Sequence, residues 1–412
     1  MTKDNYVNRI EPTDRESAGK GKGISAAFSR MSDVIRDSSQ NVDLVLLVII
    51  IALVVSGIVM MYSASFAYAY YNNKGDSNFF FRHQLLYALG GIVAMFLASF
   101  IPVLKLKNWN LIILAVSTAL LVLVLFMPER NGAHRWIDLK ILTFQPSELT
   151  KFAVILFGAT WADSHADKMH TGKWGVLPFV LVLGGTAGLL LLEPHISCTV
   201  IVLLLGMTMM FVGGTRMIWF VGLGIVAAVG IVAVILSGSI GYSSGRIAVW
   251  LDPFSDPRGV GWQNIQALYA IASGGLFGEG IGNSRQKYLY ISEPQNDFVF
   301  AVVCEELGFV GAALVIALFV VFVWRGFTIS LKNPNRFSRL LGIGITAQIG
   351  WQALLNMAVV TKVIPNTGIS LPFFSYGGSS LLMLLAEMGV LLAVSRESTA
   401  KNGWGLNTKS SL

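Results

Sequence analysis

The sequence predicts an all-α polytopic membrane protein with ten transmembrane helices, both termini cytoplasmic, and one large extracytoplasmic loop between helices 7 and 8. Hydrophobic residues make up 54% of the 412 and charged residues only 13%, with a mean hydropathy of +0.65. That balance does not suit a water-exposed globular surface. Apolar runs of about 20 residues, enough to cross a hydrocarbon core of roughly 30 Å at about 1.5 Å per residue, recur along almost the whole chain. They lie at 44–62, 84–101, 110–127, 147–162, 176–192, 196–213, 217–237, 298–324, 340–360 and 376–395. The runs are continuously apolar and lack the alternation of a membrane barrel. In lipid such segments must pair their own backbone groups, so they are helices.

Lysine and arginine set the orientation. Leaving aside the N-terminal tail and the long loop, the connections on the N-terminal side of the membrane carry about twice as many basic residues as the opposite ones, which makes them cytoplasmic. The strongest anchor is the connection with Arg325, Lys332, Arg336 and Arg339. It places the loop 238–297 outside, and this loop alone has enough non-membrane backbone to build a shaped site.

Around the membrane domain 44–396 lie a polar tail, 1–43, and a cytoplasmic C-terminal tail, 397–412. No short apolar segment with a small-residue cleavage site precedes the first span, so no cleavable signal is expected. Ile24, Phe28, Met31 and Ile35 form a helical stripe opposed by Arg30, Asp33 and Arg36, which suggests an interfacial helix over 24–38. In the long loop, Trp262, Ile265, Leu268, Tyr269 and Ile271 sit near helical spacing. They suit a half-helix at the interface or one packed on the bundle.

Several chemistries find no support. Cys198 and Cys304 both fall in spans and read as buried thiols, and the five histidines have no ligand spacing. Gly274, Gly275, Gly278, Gly280 and Gly282 follow no strand and precede no Gly-Lys-Ser/Thr, so they read as loop flexibility or close helix packing and not as a nucleotide loop. Nothing marks a nucleic-acid partner.

Ionisable groups in the spans are more informative, because each costs about 2.5–3.5 kcal/mol at the bilayer centre unless it meets a partner or water. Glu148 and Lys151 share a helix face and can pair. Glu193, Lys362, Glu305, Glu306 and Glu387 bring charge toward the outer half from other helices, a pattern that one shared polar cavity would explain. Asp297 closes the long loop just before a helix, where it would serve either as an N-cap or as a functional acid.

Five stretches resemble the SEDS family of bacterial cell-wall polymerases. They are Asn131–Ile137 (NGAHRWI), Phe144–Lys151 (FQPSELTK), Gly274–Tyr290 (GGLFGEGIGNSRQKYLY), Ser292–Phe309 (SEPQNDFVFAVVCEELGF) and Leu371–Ser380 (LPFFSYGGSS). The Asn-Ser-Arg-Gln-Lys-Tyr and Glu-Pro-Gln-Asn-Asp-Phe runs are closer to the FtsW/SpoVE branch than to RodA. Asn296 stands where the family usually has Thr. His195, in Glu193–Cys198, stands where relatives usually carry an acid, so no role is carried over to it.

The resemblance implies a peptidoglycan glycosyltransferase that joins the disaccharide of lipid II to a growing glycan on the outer face, with Asp297 matching the family's essential acid. An α-linked donor that becomes a β-1,4 bond implies inversion by one displacement, so one base suffices and no carboxylate pair is required. The leaving undecaprenyl pyrophosphate needs positive charge. Arg135, Lys151, Arg246, Lys287 and Lys362 are the candidate cations, and Glu148, Glu193 and Ser379 complete the candidate substrate-binding set. No cofactor is required by the sequence, although a divalent cation, Mg or Mn, would be able to share the pyrophosphate charge. Expected partners are lipid II and nascent glycan, membrane lipids, a class B penicillin-binding protein that crosslinks the product, and the division or sporulation machinery. Two other readings compete: a lipid II transporter, and a noncatalytic scaffold in which Asp297 is only a cap.

Overall fold

The computed structural model describes residues 42–129, 134–138, 143–225, 249–259 and 261–404, the side chains only as far as residue 398. The proposed helix 24–38, Arg246 and most of the predicted seventh span lie outside the described residues. The chain is helical: α1 (Leu44–Asn72), α2 (Phe79–Ser99), α3 (Val103–Val124), a hairpin of β1 (Ile137–Asp138) and β2 (Thr143–Phe144), α4 (Pro146–Ser164), α5 (Leu177–Leu192), α6 (Ile196–Gly213), α7 (Trp262–Ser273), α8 (Val299–Lys332), α9 (Arg336–Val360) and α10 (Gly378–Trp404). The strands pair antiparallel, Ile137 with Phe144 and Asp138 with Thr143.

Eight described helices are long and apolar enough to cross a membrane: α1, α2, α3, α5 with the turn before it, α6, α8, α9 and α10. They coincide with eight of the ten predicted spans, as a multi-pass membrane protein requires. The predicted fourth span is the helix α4, but it carries Glu148, Lys151 and Asp163 and is too polar to qualify on hydropathy. Its charges are tolerable because neighbours enclose it: α4 is buried along nearly its whole length and packs against α3, α6 and α9. The predicted C-terminal tail also begins as helix, because α10 runs on to Trp404.

Local chemistry fixes the ends. Asp43 caps α1, accepting from the Leu46 amide at 2.8 Å, and its carboxylate also takes Arg325 of α8 in a two-point contact at 2.5 and 3.2 Å. Pro146 opens α4 at a position where the missing N–H is not needed. Asn335 caps α9 by accepting from Phe337 and Ser338. The apolar stretches of α9 and α10 are 67% and 72% buried against 17% for α3, so these two helices form the centre and α3 faces outward.

Two elements differ from the sequence expectation in ways that shape the site. The first is α1, which continues ten residues past its apolar run, because Ser63–Asn72 is rich in Ala and Tyr and keeps the helix going to Tyr68. The second is α8, which is interrupted at Gly308 (φ +67°, ψ −168°). There the glycine-rich loop substitutes for helix partners: the Glu279 and Gly280 amides donate to the Glu305 and Glu306 carbonyls, and the Phe309 and Val310 amides donate to the Gly275 and Leu276 carbonyls. Backbone approaches this close exclude side chains, since a Cβ on Gly278 (φ +80°) would fall 2.2 Å from the Glu306 carbonyl oxygen. Close packing, one of the two sequence readings, accounts for Gly278. The loop helix α7 likewise packs on α8, burying Ile265, Ala267 and Ala270, while Trp262 and Tyr269 stay exposed.

Candidate active site

A cavity of about 660 Å³ lies among the ends of α1, α2, α4, α6, α8 and α10 and the β hairpin. Asp297, Arg135, Glu148, Lys151 and Ser379, predicted from four separate stretches, all line it.

Asp297 sits in the turn that leads into α8, half-buried. The N-cap position of α8 is Phe298, one residue on. Its turn is held from behind. The buried Asn356 of α9 donates to the Asp297 carbonyl at 2.8 Å and to the Ile369 carbonyl at 2.6 Å. Ser375 donates to the Asn296 carbonyl at 2.5 Å, and the Tyr376 amide donates to the Gln295 carbonyl at 2.7 Å. Segment 369–376 thereby backs the turn. Gly368 (φ +72°) lies against the Asp297 carboxylate: an added Cβ would be 3.0 Å from Oδ2.

Lys151 is 1% exposed and pairs with Glu148 at 2.8 Å across one turn of α4. The pair predicted from spacing therefore forms. Glu148 also accepts from Ser380 at 3.0 Å, and Ser379 Oγ accepts from the Gln145 amide at 3.2 Å. The start of α10 is thus hydrogen-bonded to the start of α4, and Ser379 lines the cavity as part of that joint. Arg135 reaches the turn between α5 and α6, where its guanidinium donates to the Glu193 carbonyl at 3.4 Å and to the Pro194 carbonyl.

Other predicted residues lie elsewhere. Glu193 is 1% exposed and does not line the cavity. Burial pushes its carboxyl up to about 8, overriding the nearby Arg135 charge, so it is neutral near pH 7. Lys287 is also a correction: it forms a buried pair with Glu306 at 2.8 Å, with Ser63 beside it at 3.1 Å, under the glycine-rich loop. Glu305, next in the chain to Glu306, accepts from Ser284 and from the Arg285 amide at 2.8 Å. Lys362 follows the end of α9 outside the cavity, its carbonyl accepting from Trp250 at 3.1 Å. Glu387 accepts from Gln348 of α9 at 2.7 Å. The single shared cavity inferred from scattered charges is therefore wrong. One charged group lines the cavity, and a second, built on Lys287, Glu305 and Glu306, clamps the loop.

Sequence reasoning missed Glu293 and Tyr68. Glu293 lines the cavity, accepting from Tyr68 at 3.2 Å and from Asn296 at 2.8 Å. Its signal was present, four residues before Asp297 in the same motif. Tyr68 lay beyond the apolar run and gave none. His195 also lines the cavity. Among the described residues no group of three or more His, Cys, Asp or Glu could hold a metal ion.

A family model for cell cycle proteins, FtsW/RodA/SpoVE, matches residues 43–400. Stage V sporulation protein E of Bacillus subtilis is 40% identical over 360 residues, covering 86% of this chain and 97% of the relative. A protein of Trichlorobacter lovleyi named "Probable peptidoglycan glycosyltransferase FtsW" is 40% identical over 356 residues, 86% of this chain and 93% of its own. Among solved structures, a chain from a peptidoglycan synthase complex that coordinates polymerization and crosslinking matches with a TM-score of 0.74 at 30% identity, covering 87% of this chain and 98% of that one. The rod shape determining protein RodA of Thermus thermophilus matches with a TM-score of 0.64 at 29% identity, covering 86% and 97%. With motifs, fold and relatives in agreement along nearly the whole membrane part, the chain belongs to the FtsW/RodA/SpoVE family of cell cycle proteins.

Proposed function

We propose that the chain is a peptidoglycan glycosyltransferase that polymerises lipid II into β-1,4 glycan on the outer face of the cell membrane, at the division septum or in the forespore membrane. The observation that carries this reading is the convergence of Asp297, Arg135 and Lys151 on one cavity. In this reading Asp297 accepts the proton of the acceptor 4-hydroxyl as that oxygen attacks C1 of the donor sugar. The C1–O bond breaks on the opposite side, and the electron pair leaves with undecaprenyl pyrophosphate. Lys151 and Arg135 meet that charge from fixed positions on the cavity wall, where cations already held in place act strongly. A positioned base contributes roughly 10²- to 10⁴-fold.

Every connection lining the cavity belongs to the set that the basic-residue count puts outside, with both termini in the cytoplasm. Ten spans, with the predicted seventh completing the set, fit that orientation. The partner is a class B penicillin-binding protein, in line with the synthase complex that holds a similar chain. The test is incubation of the purified protein and this partner with lipid II. Glycan ladders support the reading. Lipid II that crosses vesicle membranes without being joined would replace it with transport.

A further inference from the structure

His195 is 8% exposed, lines the cavity, and has an Nδ1 with no hydrogen-bond partner among the described residues. It sits directly after the turn whose carbonyls hold Arg135. We infer that His195 is a conditional cation of the pyrophosphate subsite, neutral when the cavity is empty and protonated when a pyrophosphate diester lies beside Arg135 and Lys151. The inference deepens the glycosyltransferase reading and rests on it.

The physical cause is a reversal of the local field. In the empty cavity, burial and the positive charges of Arg135 and Lys151 push the imidazole down to about 3. At pH 7 the neutral ring then outnumbers the imidazolium by about 10⁴. The other charged groups around the cavity are Asp138 in the hairpin, Glu148 on α4, and Glu293 and Asp297 before α8. Glu193 in the preceding turn is held neutral. A pyrophosphate diester brings two negative charges and screens both cations. Each charge about 4 Å away in an effective dielectric of about 20 favours the imidazolium by about 10³. Two therefore outweigh the starting bias by about a hundredfold. The unprotonated ring nitrogen takes its proton from the solvent, and no covalent bond to the lipid forms or breaks. A residue that charges only when the diester arrives avoids a third permanent cation in an empty buried site.

The test is calorimetric binding of a short-chain lipid II to the full chain in nanodiscs, in buffers of different ionisation enthalpy, comparing wild type with His195→Asn and His195→Gln. Wild type should take up about one more proton per bound lipid than either variant and bind about a hundredfold more tightly at pH 7. Its affinity should fall about tenfold between pH 7 and 8, as one linked proton requires. Equal proton uptake by wild type and a folded variant that also binds would overturn the inference. If His195→Asn does not fold, the glutamine variant and the wild-type pH dependence still decide. Failure of folded wild type to bind the lipid would instead sink the glycosyltransferase reading, and the inference with it.

Discussion

Replacing Lys287 by Met separates a structural cation from a substrate-binding one. The Lys287–Glu306 pair is 2.8 Å long with side chains 2% and 0% exposed, so the substitution leaves Glu306 buried without its counter-charge. Breaking a buried pair by removing one partner costs about 3–5 kcal/mol. Glu306 keeps the Ser63 hydroxyl at 2.7 Å and the Ser284 amide at 3.4 Å, which places the loss near the lower end, about 3 kcal/mol. That energy acts on the docking of the loop, because Ser284–Lys287 is held almost wholly by Glu305 and Glu306. About 3 kcal/mol is roughly a 150-fold rise in local opening. Hydrogen exchange read by mass spectrometry should show it at the Arg285 and Gln286 amides. The double variant Lys287→Met/Glu306→Leu removes both charges and should recover most of the protection, and with it activity. Unchanged exchange in the single variant, or a double variant that regains protection but stays inactive, would refute the assignment of Lys287 as a clamp.

Gly278→Ala places a Cβ 2.2 Å from the Glu306 carbonyl at φ +80°, so it should destabilise the fold by more than the roughly 1–3 kcal/mol of backbone strain alone, read as a lower Tm and a reduced yield of folded protein. Glu193 gives a pH signature. Its folded pKa of about 8 lies above the usual carboxylate value, so the folded state retains a proton that the unfolded state loses, and stability falls as pH rises between about 4.5 and 8. Glu193→Gln should flatten that part of the Tm profile, and an unchanged slope would show that the acid is not held neutral.

The fold was legible because bilayer thickness dictates the length of apolar runs, and these sequence runs match eight helices. The hidden parts are those that composition does not encode. The extension of α1 rests on a Ser-Ala-Tyr stretch that no hydropathy rule marks. The break in α8 is satisfied by partners more than 25 residues upstream in sequence, on a loop whose glycines were visible but whose destination was not. In the site, Glu148 with Lys151 could be read from a three-residue spacing, and the pair forms. Lys287 could not be sorted from Lys151, because both are cations expected near the outer face. Only tertiary packing gives one a place on the cavity and the other Glu306.

The most direct test is lipid II polymerisation by the chain with the proposed class B penicillin-binding protein, wild type against Asp297→Asn, at matched Tm and matched partner binding. The amide keeps the shape of the side chain and removes its basicity. Glycan synthesis should fall by roughly 10²- to 10⁴-fold while the fold is retained. Equal synthesis by the two proteins would contradict the role of Asp297 as base.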